Sequence, residues 1–124
     1  MSQPVTAELL KGFLDAFNRH DLDAIMAFFA EDAVFLSPRG SDPGGRRFEG
    51  KDRVRAGLAA RFTGIPDVHY GDDTHWACGN RGVSEWTLTG DLADGSRFEA
   101  RGVDVFHFRD GKIAVKDSYV KRRG

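Results

Sequence analysis

The sequence predicts an α+β fold, with three helices followed by a long antiparallel meander that curves over them. Two observations predict it. Apolar residues recur at helical spacing up to Phe62, and from Val68 onward they alternate with polar ones. In addition, Gly79-Asn80-Arg81-Gly82, Asp94-Gly95 and Asp110-Gly111 cut the second half at hairpin-like positions. A run of helices followed by a run of strands is the pattern of helices packed on one face of a sheet.

The first helix is expected over Val5–Asn18, where Leu9, Leu10, Phe13, Leu14 and Phe17 form one stripe. Thr6 is a suitable N-cap, Glu8 lies in the positive first turn, and Val5 can staple onto Leu10. Asp21 caps a second helix expected to reach Ala30. A short strand, Ala33–Leu36, ends at Ser37-Pro38. Pro38–Gly45 reads as a loop because it holds two prolines and three glycines. The third helix starts near Gly50, carries Val54, Leu58 and Phe62 on one face, and stops at Thr63-Gly64. Strands are expected at Val68–Tyr70, His75–Cys78, Val83–Leu92, Arg97–Phe108 and Ile113–Val120.

Register decides which side chains share a face. Three-residue loops at both Asp-Gly hairpins would pair Leu92 with Ser96 and Phe108 with Lys112. They would also set Trp86 across from Gly102, whose bare backbone leaves room for the indole. The alternative two-residue turns would align Asp104 with both Asp117 and Glu85, a repulsive row. With three-residue loops, Ser84, Trp86, Leu88, Ala100, Gly102, Asp104, Phe106, Lys116 and Ser118 share one face. Val83, Val103, Val105, Ile113, Val115 and Tyr119 share the other. That second face is too apolar to be left wet, so a homodimer through it is expected, the alternative being a cover from the C-terminal tail or the proline-glycine loop.

Composition bounds the function. The 124 residues fit one domain, and 40% hydrophobic with 30% charged residues excludes a disordered chain. Eighteen basic against 19 acidic residues give a net charge of −1, without the basic excess of a nucleic-acid binder. The basic run Lys121, Arg122 and Arg123 reads as a solvated end. Cys78 has no partner for an internal disulfide, which favours a reducing compartment. No signal peptide or membrane-length apolar run is seen, and a cytoplasmic protein is expected. Ten phenylalanines indicate an aromatic interior, as core or as pocket.

Three segments carry a resemblance to a known family. DLDAIMAFFAEDAV (21–34) resembles the second helix and first strand of the nuclear transport factor 2-like superfamily. RFEGKDRV (47–54) matches its third-helix entry, and RGVDVFHFRDGKI (101–113) its last hairpin. The chain is most similar to the SnoaL-like branch, which includes polyketide cyclases, and more distantly resembles ketosteroid isomerases and limonene epoxide hydrolases. The resemblance covers nearly the whole chain, taken as one domain over 1–124. It implies a cone-shaped α+β barrel with a deep pocket between sheet and helices, commonly dimeric.

Residue by residue, the resemblance sets Asp104 at the pocket Asp of ketosteroid isomerases. Ser37 stands where their base Asp precedes a proline, and Phe13 where their oxyanion Tyr stands, so steroid isomerisation loses support. Ser118 falls at the late acidic position of the cyclases, with Asp117 one place away. Gly102 replaces the Arg of the epoxide hydrolases.

Asp104 is the leading candidate for chemistry. It interrupts the apolar run Val103–Val105 on the face of Trp86 and Phe106, where desolvation would raise its pKa and suit it to proton transfer. Lys116 lies nearly opposite, as a second catalytic candidate or as a structural ion-pair partner. Phe13, Phe17, Phe62, Trp86 and Phe106 would wall the pocket, with Ser37, Leu58 and Ser118 as further ligand contacts. Tyr70 and Trp76 fit either core or pocket mouth. His69 and His75 are possible proton carriers. The Pro38–Arg47 loop reads as a lid whose Arg39, Arg46 and Arg47 would draw an anion, or as a plain solvated loop. No metal-ligand spacing or phosphate-binding glycine pattern is present, so neither metal nor cofactor is expected. The expected function is cofactor-free acid/base chemistry on an apolar or aromatic carbonyl compound, of isomerase, cyclase or hydro-lyase type. The alternatives are a non-catalytic ligand-binding protein and a dimeric association module.

Overall fold

The computed structural model describes residues 4–121. Three helices, α1 (Ala7–Asn18), α2 (Leu22–Met26) and α3 (Lys51–Gly64), pack on a six-stranded sheet. The strands are β1 (Phe29–Leu36), β2 (Arg47–Glu49), β3 (His69–Cys78), β4 (Arg81–Asp91), β5 (Arg97–Arg109) and β6 (Lys112–Val120). Their order is β2-β1-β6-β5-β4-β3, so the curved sheet stays open at β2 and β3. Neighbouring strands are antiparallel except β1 and β6, which run parallel.

Thr6 caps α1 as expected, accepting from the Leu9 amide at 3.1 Å. Asp21 caps α2 through the Ala24 amide. That helix ends at Met26, four residues short of the expected Ala30. The Phe28-Phe29 pair suits a helix stripe and a strand equally, and pairing with β6 decides for the strand: the Ile113 amide donates to the Phe28 carbonyl and Phe29 aligns with Ile113. The polar run at Arg47, expected in a loop, forms the short edge strand β2. The two strands expected between Val68 and Cys78 are one, β3, broken by a register shift between Gly71 and Thr74 with Asp72 at positive φ.

The first Asp-Gly hairpin has the expected three-residue loop, with Leu92 bonded to Ser96. The second does not. Asp110 and Gly111 both have positive φ and form a two-residue turn between Arg109 and Lys112. A register shift between His107 and Phe108, which leaves Ala114 as an extra residue on β6, restores the parity. The faces therefore come out as expected, while the partners move by two: Asp104 faces Ser118, and Lys116 faces Phe106. Ile113 is the exception. It was expected outside and is instead fully buried, because it precedes the extra residue.

The core lies between α1, α2, α3 and the inner sheet face. An aromatic cluster fills its centre, where Phe13 meets Phe28, Phe29 and Phe106 edge-on at 5.5–5.7 Å.

Candidate functional site

A row of polar side chains crosses the otherwise apolar inner face. In register across β3, β4, β5 and β6 stand His75, Ser84, Asp104 and Ser118. Strand alternation places all of them inward. On the adjacent row Trp86 lies over Gly102, where an added Cβ would fall 2.4 Å from the indole ring. Only glycine admits the ring so close to β5, and from there Trp86 Nε1 donates to Asp104 Oδ2 at 3.2 Å. Lys116, aligned with Phe106 on one side and Phe35 on the other, completes the cluster.

The Asp104 carboxylate is 3% exposed and Lys116 6%. Lys116 Nζ donates to Asp104 Oδ1 at 3.2 Å and to Ser118 Oγ at 2.7 Å, and Ser118 Oγ donates to Asp104 Oδ1 at 2.5 Å. The ammonium also lies 4.7 Å from the centre of the Phe35 ring and 5.7 Å from that of Phe17. Burial pushes the Lys116 pKa below the usual lysine range, against the opposing pull of Asp104. Burial likewise pushes the Tyr70 hydroxyl up, so it stays protonated and can donate. Tyr70 is held by Asn18, which bonds its backbone amide and carbonyl at 2.8 Å each, and its ring meets Trp86 edge-on at 4.7 Å.

A cavity of about 400 Å³ opens onto this cluster. Lys116, Ser118, Trp86 and Tyr70 supply its polar floor. Phe17, Phe35, Leu58 and Ile65 wall it, and Ser37, Arg39, Arg61 and Phe98 also line it. Of the residues expected to contact a ligand, Lys116, Phe17, Ser37, Leu58, Trp86 and Ser118 line the cavity. Phe13, Phe62 and Phe106 do not. Phe13 and Phe106 belong to the central core, and Phe62 stands behind Phe17 at 5.0 Å, with its ring tilted against that of His20. Asp104 does not line the cavity either; it sits behind Lys116, Ser118 and Trp86 and orients all three.

Phe35, Ile65 and Arg61 were not singled out in the sequence. Phe35 was legible as a strand residue next to the candidate Ser37. Arg61 carried no signal, because an arginine on the polar side of a helix reads as solvated.

The other candidates are engaged elsewhere. His75 bonds Ser84 Oγ through Nδ1 at 2.7 Å and Asp73 through Nε2 at 2.6 Å, and Lys11 closes the chain onto Asp73 at 2.9 Å. His69 and Cys78 are exposed. Arg47 pairs with Glu49, and Arg46 lies 4.8 Å over the Phe48 ring. Among the described residues no group of three or more His, Cys, Asp or Glu is placed to hold a metal ion. No helix among them is long and apolar enough to cross a membrane. Arg122 and Arg123 lie outside the described residues.

An open curved sheet over three helices, with a cavity between them, is the architecture of the nuclear transport factor 2-like fold. Residues 10–116 match the SnoaL-like domain family, and the chain belongs to it. Its structure is similar to that of a candidate polyketide cyclase of Xanthomonas campestris (26% identity, 92% of this chain and 88% of that one, TM-score 0.82). It is also similar to a candidate polyketide cyclase of Pseudomonas putida (24% identity, 93% and 90%, TM-score 0.82). A third likeness is a Catenulispora acidiphila protein of ketosteroid isomerase-like fold, determined in complex with trimethylamine (18% identity, 93% and 86%, TM-score 0.78). No curated protein matches the chain.

Proposed function

We propose that this chain is a cofactor-independent acid/base enzyme acting on an apolar or aromatic carbonyl compound held in the cavity. One observation carries the reading: a buried lysine amine on the cavity floor, held by Asp104 and Ser118 and flanked by rings. An ammonium has three N–H donors, and two of them are engaged by Asp104 and Ser118. The remaining position is available to the ligand. Burial lowers the Lys116 pKa and so favours the neutral amine, the form that can take a proton.

In this reading the amine takes a proton from the carbon next to the substrate carbonyl. The C–H bond breaks, an N–H bond forms, and the electron pair moves onto the carbonyl oxygen, which accepts a hydrogen bond from Tyr70. Asp104 stabilises the ammonium that results and is a positioning residue. The Lys116 ammonium then returns the proton: to another carbon of a conjugated enolate, to the alkoxide formed when the enolate attacks a second carbonyl, or to a β-hydroxyl that the enolate expels as water. These outcomes correspond to isomerase, cyclase and hydro-lyase chemistry. The aromatic walls suit a planar, apolar substrate.

We further assign a homodimer through the outer face, where Val83, Val103, Val105 and Val115 are half-buried and Trp76 and Tyr119 are 47% and 56% exposed. The inward turn of Ile113 leaves this face less apolar than expected.

The test of the chemistry is exchange. Incubated in D₂O with 2-tetralone and related aryl ketones, the protein is expected to speed the loss of the α-C–H proton signals, and Lys116→Met to return them to the buffer rate. Equal exchange by Lys116→Met and wild type overturns the assignment. Ketones that bind without any accelerated exchange leave a ligand-binding protein instead.

A further inference from the structure

The charges around the cavity differ from those of the chain. The sequence balances 18 basic against 19 acidic residues. Yet no Asp or Glu lines the cavity or the smaller pocket of about 180 Å³ that adjoins it along Pro38, Arg39, Arg61, Phe98 and Val120. The charged residues lining the two are Arg39, Arg61, Lys116 and Lys121. Several cations elsewhere have carboxylates within ion-pair distance, such as Lys11 with Asp73, Arg55 with Asp23, Arg97 with Asp91, Arg101 with Asp72 and Arg109 with Asp32, while others away from the cavity, such as Arg19, Arg53 and Arg81, have none among the described residues. Lys116 has Asp104. Among the described residues, neither Arg39 nor Arg61 has a carboxylate within ion-pair distance. Arg61 is half-buried and lies beside Tyr70, and Arg39 follows Pro38 in the loop that joins β1 to β2.

We infer that the ligand is an organic anion, a carboxylate or phenolate on an aromatic body, whose charged end sits between Arg39 and Arg61 while its rings fill the cavity toward Lys116. Guanidinium groups recognise such anions by charge-assisted, often bidentate hydrogen bonds. An acid-free, ring-lined cleft raises their strength, because low-dielectric walls focus the field. The inference rests on the cavity being the ligand site of the proposed function and adds the ligand's charge to it. It also narrows the earlier expectation for the loop: of its three arginines, only Arg39 lines the cavity, and Arg61 of α3 is the second cation.

The experiment uses a matched pair of probes, 2-naphthoate and 2-naphthamide, alike in shape and different in charge. Calorimetric titration is expected to show naphthoate binding about tenfold tighter or better at low ionic strength, a gap that narrows with added salt. In Arg39→Gln/Arg61→Gln the two probes should bind within about twofold of each other, with the far-ultraviolet circular dichroism spectrum and urea midpoint as the check on folding. The inference is overturned if the amide binds as well as the acid, if the arginine variant keeps the preference, or if neither probe binds. Failure of the acid/base reading is read separately: charge preference without ketone exchange describes an anion-binding protein, and exchange without charge preference describes an enzyme with neutral substrates.

Discussion

Asp104→Asn removes the counter-ion of Lys116 and leaves the shape of the cluster nearly intact. The cost can be worked in two ways. At the observed 3.2 Å, two unit charges in an effective dielectric of about 20 attract by about 5 kcal/mol. The variant can avoid a bare buried charge by releasing the Lys116 proton. For an amine with an ordinary value of 10.5, that release costs about 5 kcal/mol at pH 7, taking ~1.36 kcal/mol per pH unit. Both routes set a ceiling near 5 kcal/mol, and broken buried pairs typically cost about 3–5. The expected loss at pH 7 is therefore about 3–5 kcal/mol, a large part of the ~5–15 kcal/mol that holds a domain together.

The pH dependence separates this cause from others. In the variant the folded state carries a neutral amine while the unfolded chain keeps its proton below 10.5. The unfolded state then binds more protons, and stability rises with pH by up to ~1.4 kcal/mol per unit across the alkaline range below 10.5. Urea unfolding at pH 7, 8 and 9, with Asp104→Asn/Lys116→Met as the reference lacking the amine, isolates that slope. A deficit under about 1 kcal/mol at pH 7, or one that stays constant to pH 9, refutes the argument that a charged Lys116 depends on Asp104.

Other expectations are shorter. Gly102→Ala should cost about 1–3 kcal/mol in chemical denaturation, since its Cβ collides with the Trp86 ring, and should blue-shift or broaden the indole emission. Burial raises the Asp73 carboxyl, but hydrogen bonds from Lys11 and His75 outweigh it and hold the value below 3.8. The stabilisation it gives is full above the ordinary carboxylate value and is lost as pH falls through the folded value. The gap between wild type and Asp73→Asn in acid titrations should therefore close below about pH 4. Trp76→Arg/Tyr119→Arg should convert the proposed dimer to a folded monomer by light scattering; an unchanged mass rules out the outer face as the contact.

The sequence showed the faces more clearly than the pairings. Three-residue loops put Ser84, Asp104, Lys116 and Ser118 on one side, and they share it in the fold because the extra residue Ala114 offsets the two-residue second turn, so the net shift is by two and parity survives. The exact partners depended on the two-residue turn at Asp110-Gly111 and on Ala114, and nothing in a single sequence marks an extra residue in a strand. The aromatic residues were legible as interior, yet Phe13 and Phe106 fill the core while Phe35 and Phe17 line the cavity. Hydrophobicity is the same for both, and only the packing of α3 over β1 separates them. Asp104 was identifiable as an acid in an apolar strand. That Lys116 reaches the cavity and Asp104 stands behind it follows from side-chain length and the diagonal register, which only the folded sheet supplies.

The polar row is not explained by stability. A lysine and an aspartate enclosed by Phe17, Phe35 and Trp86 lose hydration on burial, and their attraction in such sites rarely exceeds that loss. Asp104→Asn/Lys116→Met removes both charges together. The Asn oxygen remains an acceptor for Trp86 Nε1, its amide nitrogen donates to Ser118 Oγ once Lys116 no longer does, and Met leaves a thioether of similar length among the rings. The double variant is therefore expected within about 1 kcal/mol of wild type or above it, although Asp104→Asn alone loses several. Ketone exchange should vanish in it. A double variant as unstable as Asp104→Asn would make the ion pair a structural element of the sheet. A stable and inactive one separates folding from chemistry, and leaves the cavity as the reason for an amine at that position.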